Sequence, residues 1–534
     1  MNYAGALERT YDDWVRSHLW DLPEQLNLGD AILQRGLQTN PEGPAIIDGK
    51  TGESTTFRAI SDLASAFSGH LRELGAQPGD RVAVIAPQSP STLAAHIGIL
   101  RAGMILVPLS QRYGPDALRH RLADSGTRIV VATTHDIKAL LPIKSDLPDL
   151  QHFVCVDAEF KSDEQTSLQT AQTAANDPAL MIYTSGTTGA AKGAVHGHRV
   201  LEGHLPGFHF SHGQAIPSGS IFYTPADWAW AGGLLNLLYP ALALGFPVVS
   251  FADAHGFRPQ SVATMMRACA VTHAFLPPTA LKMMRAELAD EELIGIGLKS
   301  VMSAGEALGR ETYQWAENAF GFPVSEAYGQ TECNLVIGSS AGLGVARPGA
   351  TGKPTPGHTV FVVREDGTET RAGEAGEIAI ASPDPVMFLG YWKAEFATER
   401  KFREGPLGRL LMTGDMALRD MDGYIWFIGR DDDVITSSGH RIGPAEIEDC
   451  LVGHPSVSMA AVVGVPDPMR TEIVRAFVVL RDGIEPTDDL KTELRAHVRA
   501  QLAAHEYPRE IRFLDALPMT TTGKVIRRLL KSEG

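Results

Sequence analysis

The chain has 534 residues, 44% hydrophobic and 21% charged, with 63 acidic against 47 basic side chains and a formal net charge of −16. These proportions exclude a disordered chain, a collagen-like repeat and a small disulfide scaffold, and the acidic balance argues against a broadly basic nucleic-acid binder. An anionic ligand must be held by local donors, because the field of the whole molecule repels it.

The opening residues, MNYAGALERTYDDW, place Glu8, Arg9, Asp12 and Asp13 where an export signal needs an apolar run, so no signal peptide is expected. Residues 57–74 carry apolar side chains at helical spacing, and Gly75 closes that helix before the strand-like run 81–86. Residues 93–102 read as helix, and 105–109 and 129–132 as short buried strands. Helices alternating with short apolar strands predict α/β units on a parallel sheet. The polar stretch 161–177 predicts a surface connection into a buried strand at 178–183. The run 232–252, GGLLNLLYPALALGFPVVSFA, has the length of a membrane span. Asn236, Pro240 and the turn at Gly245-Phe246-Pro247 instead predict a buried helix, a turn and a buried strand. A membrane-anchored protein using this run is the alternative. Beyond Asp432, strands at 459–465 and 474–480 and a helix at 488–502 suffice for a small α+β unit. The expected division is 1–431 and 432–534. Cys155, Cys269, Cys333 and Cys450 form no C-x-x-C pair, which argues against a structural zinc site and fits a reducing, cytoplasmic setting.

The first chemically informative stretch is YTSGTTGAAKG at 183–193, directly after a predicted strand. Thr184, Ser185, Gly186, Thr187, Thr188 and Gly189 leave backbone N–H groups free to surround phosphate oxygens, and Lys192 adds a point charge. It departs from the usual P-loop pattern, because Ala191 precedes the lysine and Gly193 follows it.

This stretch resembles the phosphate loop of the adenylate-forming enzymes: acyl- and aryl-CoA ligases, peptide-synthetase adenylation domains and luciferases. Further stretches match in family order. Ser303-Ala304-Gly305-Glu306 is similar to the loop lying against adenine. Tyr328-Gly329-Gln330-Thr331-Glu332 resembles the motif whose aromatic ring stacks on the base, with Thr331 and Glu332 beside the α-phosphate and magnesium. Thr413-Gly414-Asp415 resembles the ribose turn. Residues 429–442, GRDDDVITSSGHRI, resemble the hinge, with Asp432 as pivot and Arg430 as a ribose contact. Gly439 would line the pantetheine tunnel, and Arg441 would reach the nucleotide phosphates. Thr522-Gly523-Lys524 resembles the catalytic-lysine motif, and residues 14–27 resemble the N-terminal segment of acetyl- and medium-chain acyl-CoA synthetases. The resemblance implies an α/β fold: a large N-terminal domain of layered sheets and helices, and a small mobile C-terminal α+β domain. It also implies ATP, Mg²⁺ and coenzyme A as cofactors, and Thr184, Glu332 and Lys524 as catalytic groups, with Glu332 as the metal ligand.

The chemistry of carboxylate activation asks for the same parts. A carboxylate acylates poorly because oxide is a poor leaving group, and AMP supplies a good one. The step needs a phosphate cradle, a divalent cation and a positive charge near the α-phosphate.

In acetyl-CoA synthetases a tryptophan stands where this chain has Gly329, and larger side chains stand where it has Ala231 and Gly232. The resemblance therefore implies a pocket for a medium-chain, branched or aryl acid, lined by Trp228, Trp230, Ala231, Gly232, Gly329 and the Phe275-Leu276-Pro277-Pro278 segment. Each methylene buried there favours the longer acid by about 0.8 kcal/mol until the pocket is full. His209, His212 and His273 receive no role. Ten residues follow Lys524, too few for a fused carrier domain, so free coenzyme A is the expected acceptor. A benzoate-type ligase, a separate carrier protein as acceptor and a non-catalytic acyl- or nucleotide-binding scaffold are the alternatives. Lys524 is chemically suited to control by a lysine acetyltransferase and deacetylase, since acylation removes its charge. The oligomeric state, a homo-oligomer included, stays open.

Overall fold

Runs of Val, Ile, Leu and Ala without alternation read as strands covered on both faces, and the computed structural model builds them so. It describes residues 10–158, 170–184, 190–252, 256–437, 440–467, 470–502, 506–519 and 524–532, apart from the side chains of Asp290, His440 and Arg441. Most of the predicted connection at 161–177 lies outside them.

Arg81–Ile85, Ile105–Pro108, Ile129–Ala132, His152–Cys155 and Pro178–Tyr183 run parallel in a seven-stranded sheet. Gly193–Gly197 and Gly390–Tyr391 extend it in antiparallel fashion. The predicted strands at 129–132 and 178–183 match the observed bounds. Two of the helices beside this sheet show how side-chain caps start them. Thr56 accepts the Ala59 N–H at the start of Phe57–Glu73. Ser89 accepts the Thr92 N–H and Pro90 pre-sets the first turn, so Pro90–Arg101 starts three residues before its apolar periodicity becomes visible.

A nine-stranded sheet follows the order Lys353–Pro354, Cys333–Gly338, Ser325–Gln330, Ser300–Ala304, His273–Phe275, Phe222–Tyr223, Val248–Ser250, Pro44–Asp48, Ser54–Thr56. One apolar core joins the two sheets through Leu28–Thr39, Phe57–Glu73, Pro90–Arg101 and Val200–His212. The apolar run at 232–252 lies inside that core. It forms a short π-helical segment, Leu234–Leu238, the helix Tyr239–Ala243 and the strand Val248–Ser250. Among the described residues no helix is long and apolar enough to cross a membrane.

A third sheet was not legible in the sequence. It pairs Val360–Val363, Ala375–Ala381, Gly408–Arg419 and Phe402–Gly405, with Ile425–Arg430 added to Gly408–Arg419. The last sheet holds Val457–Asp467, Thr471–Leu480, Ile435–Ser437, His440–Ile442 and Glu510–Phe513, covered by Pro444–Val452 and Asp488–Gln501 around its own apolar cluster. That cluster gives the C-terminal region an independent core. It touches the rest through a carboxylate: Asp449 accepts the Arg310 N–H at 2.7 Å. Helix Arg310–Phe320 has glycine at its N-cap and no side-chain cap of its own, so Asp449 satisfies one of its orphan donors.

Candidate active site

In open α/β sheets ligands gather beyond the carboxyl ends of parallel strands. Three of the predicted motifs leave such ends: 184–192 after Pro178–Tyr183, 305–308 after Ser300–Ala304, and 331–332 after Ser325–Gln330.

Thr184 and Lys192 close the base of the phosphate loop. The Thr184 N–H donates to the Lys192 carbonyl at 2.9 Å, and the Lys192 N–H reaches Thr184 Oγ1 at 3.4 Å. The loop tip (Ser185, Gly186, Thr187, Thr188 and Gly189) lies outside the described residues. In the second loop Ala304 pairs with Ala327 of the adjacent strand. Gly305 has φ +102°, a backbone conformation that side chains strain, so its exposed peptide needs glycine. Glu306 accepts from the Thr279 hydroxyl at 3.2 Å.

The strongest polar knot surrounds Asp415, which is 5% exposed. Its carboxylate accepts from the Tyr328 hydroxyl at 2.6 Å and from the Gln330 amide, and Arg430 Nη1 lies 3.8 Å away. Burial raises the Asp415 pKa, and the donors Tyr328, Arg430 and Gln330 oppose that rise. The turn before it is equally held. Thr413 Oγ1 donates to the Ile378 carbonyl at 2.7 Å and accepts the Asp415 N–H at 3.0 Å. The N–H of Gly414, at φ +77°, donates to Glu377 at 2.7 Å. Asp415 and Arg430 face each other across Gly408–Arg419 and Ile425–Arg430, which brings the expected ribose turn and the start of the expected hinge together. Phe427 of the latter strand lies 6.1 Å from the Tyr328 ring, a neighbour that no motif announced.

Thr331 and Glu332 form the two-residue tip of a hairpin, since Gln330 pairs with Cys333. Glu332 is 8% exposed, and its carboxylate accepts from the Tyr391 hydroxyl. Tyr391 also lies beneath Lys192, whose ammonium is 5.4 Å from the ring centroid. Sequence reasoning missed Tyr391, which lies 59 residues from Glu332 and gains its place from pairing with Ala194 just past the phosphate loop. Among the described residues Glu332 has no ion pair to a basic side chain. A buried carboxylate with only a neutral donor fits a cation as its missing partner. No three-residue cluster of metal-ligating side chains occurs among the described residues.

The residues expected to line an acid pocket are placed by shape. A side-chain carbon at Gly232 would lie 3.1 Å from the Phe275 ring. Trp228 is 2% exposed, and its indole N–H has no partner among the described residues. Trp230 stands edge-on to Tyr113 at 5.6 Å, and Ala231 packs against the core margin. Gly329 has a tighter constraint than the sequence suggested. A side-chain carbon there would sit 2.3 Å from the Leu335 backbone nitrogen. The room left by the missing side chain is filled by its own hairpin, which bends back with Leu335 at φ +60°. Asn334, absent from the sequence reading, donates to Asn236 at 2.5 Å in the buried region beside it. His209, His212 and His273 are buried, and burial lowers their pKa values, which makes them neutral core groups.

At the hinge, Asp432 accepts from Arg430 Nε at 3.1 Å through its side chain and from Lys531 Nζ at 2.9 Å through its carbonyl. Arg527 binds both oxygens of Glu448 at 2.8 Å. The helix Arg527–Ser532 is thereby tied to the hinge. Lys524 precedes it and is exposed. Arg441 sits on strand His440–Ile442, and Gly439 lies outside the described residues, as do residues 520–523.

Comparison with known proteins agrees with this layout. Residues 33–392 match the family described as AMP-binding enzyme, and residues 446–524 its C-terminal domain. The acetyl-coenzyme A synthetase of Bacillus subtilis is 33% identical over 91% of this chain and 86% of its own length. The mitochondrial acyl-coenzyme A synthetase ACSM3 of Rattus norvegicus is 30% identical, covering 98% of this chain and 93% of that protein. A crystal structure of an anthranilate CoA ligase in complex with anthranoyl-AMP superposes with a TM-score of 0.87 at 27% identity, over 96% of this chain and 98% of that one. With its strand-end loops and these relatives, the chain belongs to the AMP-binding enzyme family, as an AMP-forming ligase of the acyl-coenzyme A synthetase class.

Proposed function

We propose that the protein is an ATP-dependent acid:CoA ligase acting in the cytoplasm on a carboxylic acid larger than acetate. The acid is joined to AMP with release of pyrophosphate, and the acyl group then passes to the thiol of coenzyme A. The observation that carries this reading is the convergence of the Asp415 knot with the Lys192–Tyr391–Glu332 group on loops from strand ends.

Each residue has a role in this reading. Tyr328 and the loop at Ala304, Gly305 and Glu306 face the base. Asp415 accepts from the ribose hydroxyls, with Gln330 and Arg430 holding its carboxylate in place. Thr184, the loop to Gly189, Lys192 and Thr331 bind the phosphates. Glu332 holds Mg²⁺, which when bound neutralises phosphate charge. Lys524 meets the developing charge between the acid and the α-phosphate. Asp432 is the pivot about which the unit 432–534 turns away from 1–431; Gly439 then lines the path of coenzyme A, and Arg441 reaches the nucleotide phosphates. Trp228, Trp230, Ala231 and Gly232, with Phe275, line the acid pocket. The small side chains at Ala231 and Gly232 support an acid longer than acetate, whereas Gly329 serves its hairpin first. Flat walls at Trp228 and Phe275 favour an aryl acid as the second reading. Acetylation of exposed Lys524 would silence adenylation by removing its charge.

The test is pyrophosphate release across acids from acetate to dodecanoate, with benzoate and anthranilate, each with and without coenzyme A. A CoA-dependent maximum beyond acetate is expected. A maximum at acetate would overturn the pocket reading, and silence on every acid would overturn the ligase reading. Lys524→Ala should slow adenylation by about 10²–10³-fold while sparing thioester formation from supplied acyl-adenylate. Equal losses in both half-reactions would remove Lys524 from its role.

A further inference from the structure

We propose that Tyr391 is a positioning residue that sets the Glu332 carboxylate and the Lys192 ammonium for the metal-bound triphosphate. The inference rests on the reading of Glu332 as the metal-side carboxylate.

The segment around Tyr391 is built as a strut between two loops. On one side, Tyr391 pairs with Ala194, and the Trp392 N–H donates to the Gly193 carbonyl at 2.7 Å, directly after the phosphate loop. On the other, the Phe388 N–H donates to the Glu332 carbonyl at 2.9 Å. Tyr391 itself is anchored, because its N–H donates to Thr398 Oγ1 at 2.9 Å and its ring packs edge-on against Phe388 at 5.0 Å. A ring held this firmly performs two tasks. Its hydroxyl donates to Glu332 Oε1, which selects one carboxylate rotamer and leaves Oε2 available to a cation. Its face receives the Lys192 ammonium at 5.4 Å, which draws that charge toward the same place. A phenol keeps its proton at neutral pH, so the hydroxyl stays a donor. Neither Glu332 nor Lys192 has another hydrogen-bonded orienter for its charged end among the described residues.

A group that orients a metal-holding side chain typically changes metal affinity by about tenfold or more when removed. The experiment is calorimetric titration of ATP into acid-free enzyme at a series of Mg²⁺ concentrations, with Tyr391→Phe, Tyr391→His and Glu332→Gln. Tyr391→Phe keeps the ring beneath Lys192 and removes the donor. It should raise the Mg²⁺ midpoint by about tenfold, while ATP affinity at saturating Mg²⁺ stays within about twofold. Tyr391→His restores a donor and should recover part of the shift, which a purely structural role would not produce. Combined with Glu332→Gln, the Phe variant should add nothing further. An unmoved midpoint in both Tyr391 variants, with a raised one in Glu332→Gln, overturns the proposal and leaves the Glu332 reading standing. An unmoved midpoint in Glu332→Gln overturns both. Should the Phe variant fail to fold, the His variant carries the test alone, and a midpoint equal to the parent's overturns the proposal.

Discussion

The two sides of the candidate site, one proposed for the nucleotide and one for the acid, are held by different physics. Around Asp415 every constraint is a directed polar contact: Tyr328, Gln330, Thr413 and Arg430 each meet the carboxylate or its turn. Around Gly232 and Trp228 the constraint is shape, with an aromatic ring within contact of a missing side chain and an indole donor left without a partner. Polar contacts demand particular residue types at particular places, so they leave a pattern in the chain. Shape can be met by many apolar combinations, so it leaves almost none.

The difference can be broken or sharpened by substitution. Asp415→Ala removes a buried charged acceptor, and KM for ATP should rise by about 30–150-fold, as the loss of about 2–3 kcal/mol of charge-assisted hydrogen bonding implies. KM for the acid should change little, and a parallel rise in both would mean that the two sides are not separable. Gly329→Ala presses a carbon onto the backbone of Asn334 and Leu335, neither of which ends in a flexible tip. It should cost about 1–3 kcal/mol of stability by thermal unfolding and lower turnover on every acid alike. Selective loss of long acids at full stability would restore Gly329 to the pocket wall. Gly232→Ala meets only the edge of the Phe275 ring, so stability should hold while the chain-length optimum shortens by about one carbon, a several-fold change in kcat/KM ratio.

The smallest effect concerns the strand that carries Tyr328. Burial pushes Glu326 up to about 7, and nearby Asp449 of the C-terminal region adds to the rise. Its folded pKa lies above the unfolded value near 4.3, so its contribution to stability is full below that value and is lost as pH rises through about 7. Between pH 6 and 8 the parent should lose about 1 kcal/mol that Glu326→Gln keeps. Comparing the two proteins cancels the opposite trend of the buried histidines. Identical slopes would show that Glu326 is not buried as a proton carrier.

Much of the frame was legible because it depends on local rules. Strands at 129–132 and 178–183 appeared as unbroken apolar runs, and the helix at 57–74 appeared through its 3.6-residue period and its closing glycine. The start of Pro90–Arg101 was misread by three residues, because its capping serine and proline precede the apolar stripe. The third sheet escaped notice. Its long strand, Gly408–Arg419, mixes buried, half-buried and exposed positions and carries the Thr413-Gly414-Asp415 turn inside it, so no clean two-residue alternation survives. The hydrophobic run at 232–252 kept its reading as core, since its breakers act within a few residues.

By itself the sequence picked out the polar residues proposed for the site: Lys192, Tyr328, Gln330, Glu332, Asp415 and Arg430 stand in short contiguous motifs, and contiguity makes their spacing independent of the rest of the fold. Tertiary structure alone decided which of them meet. It set Tyr391 against Glu332 across 59 residues, brought Tyr328 to Asp415 across 87, and filled the space beyond Gly329 with its own hairpin. Those choices depend on strand pairing between distant segments, where many pairings have similar local propensities and only the packed core selects one.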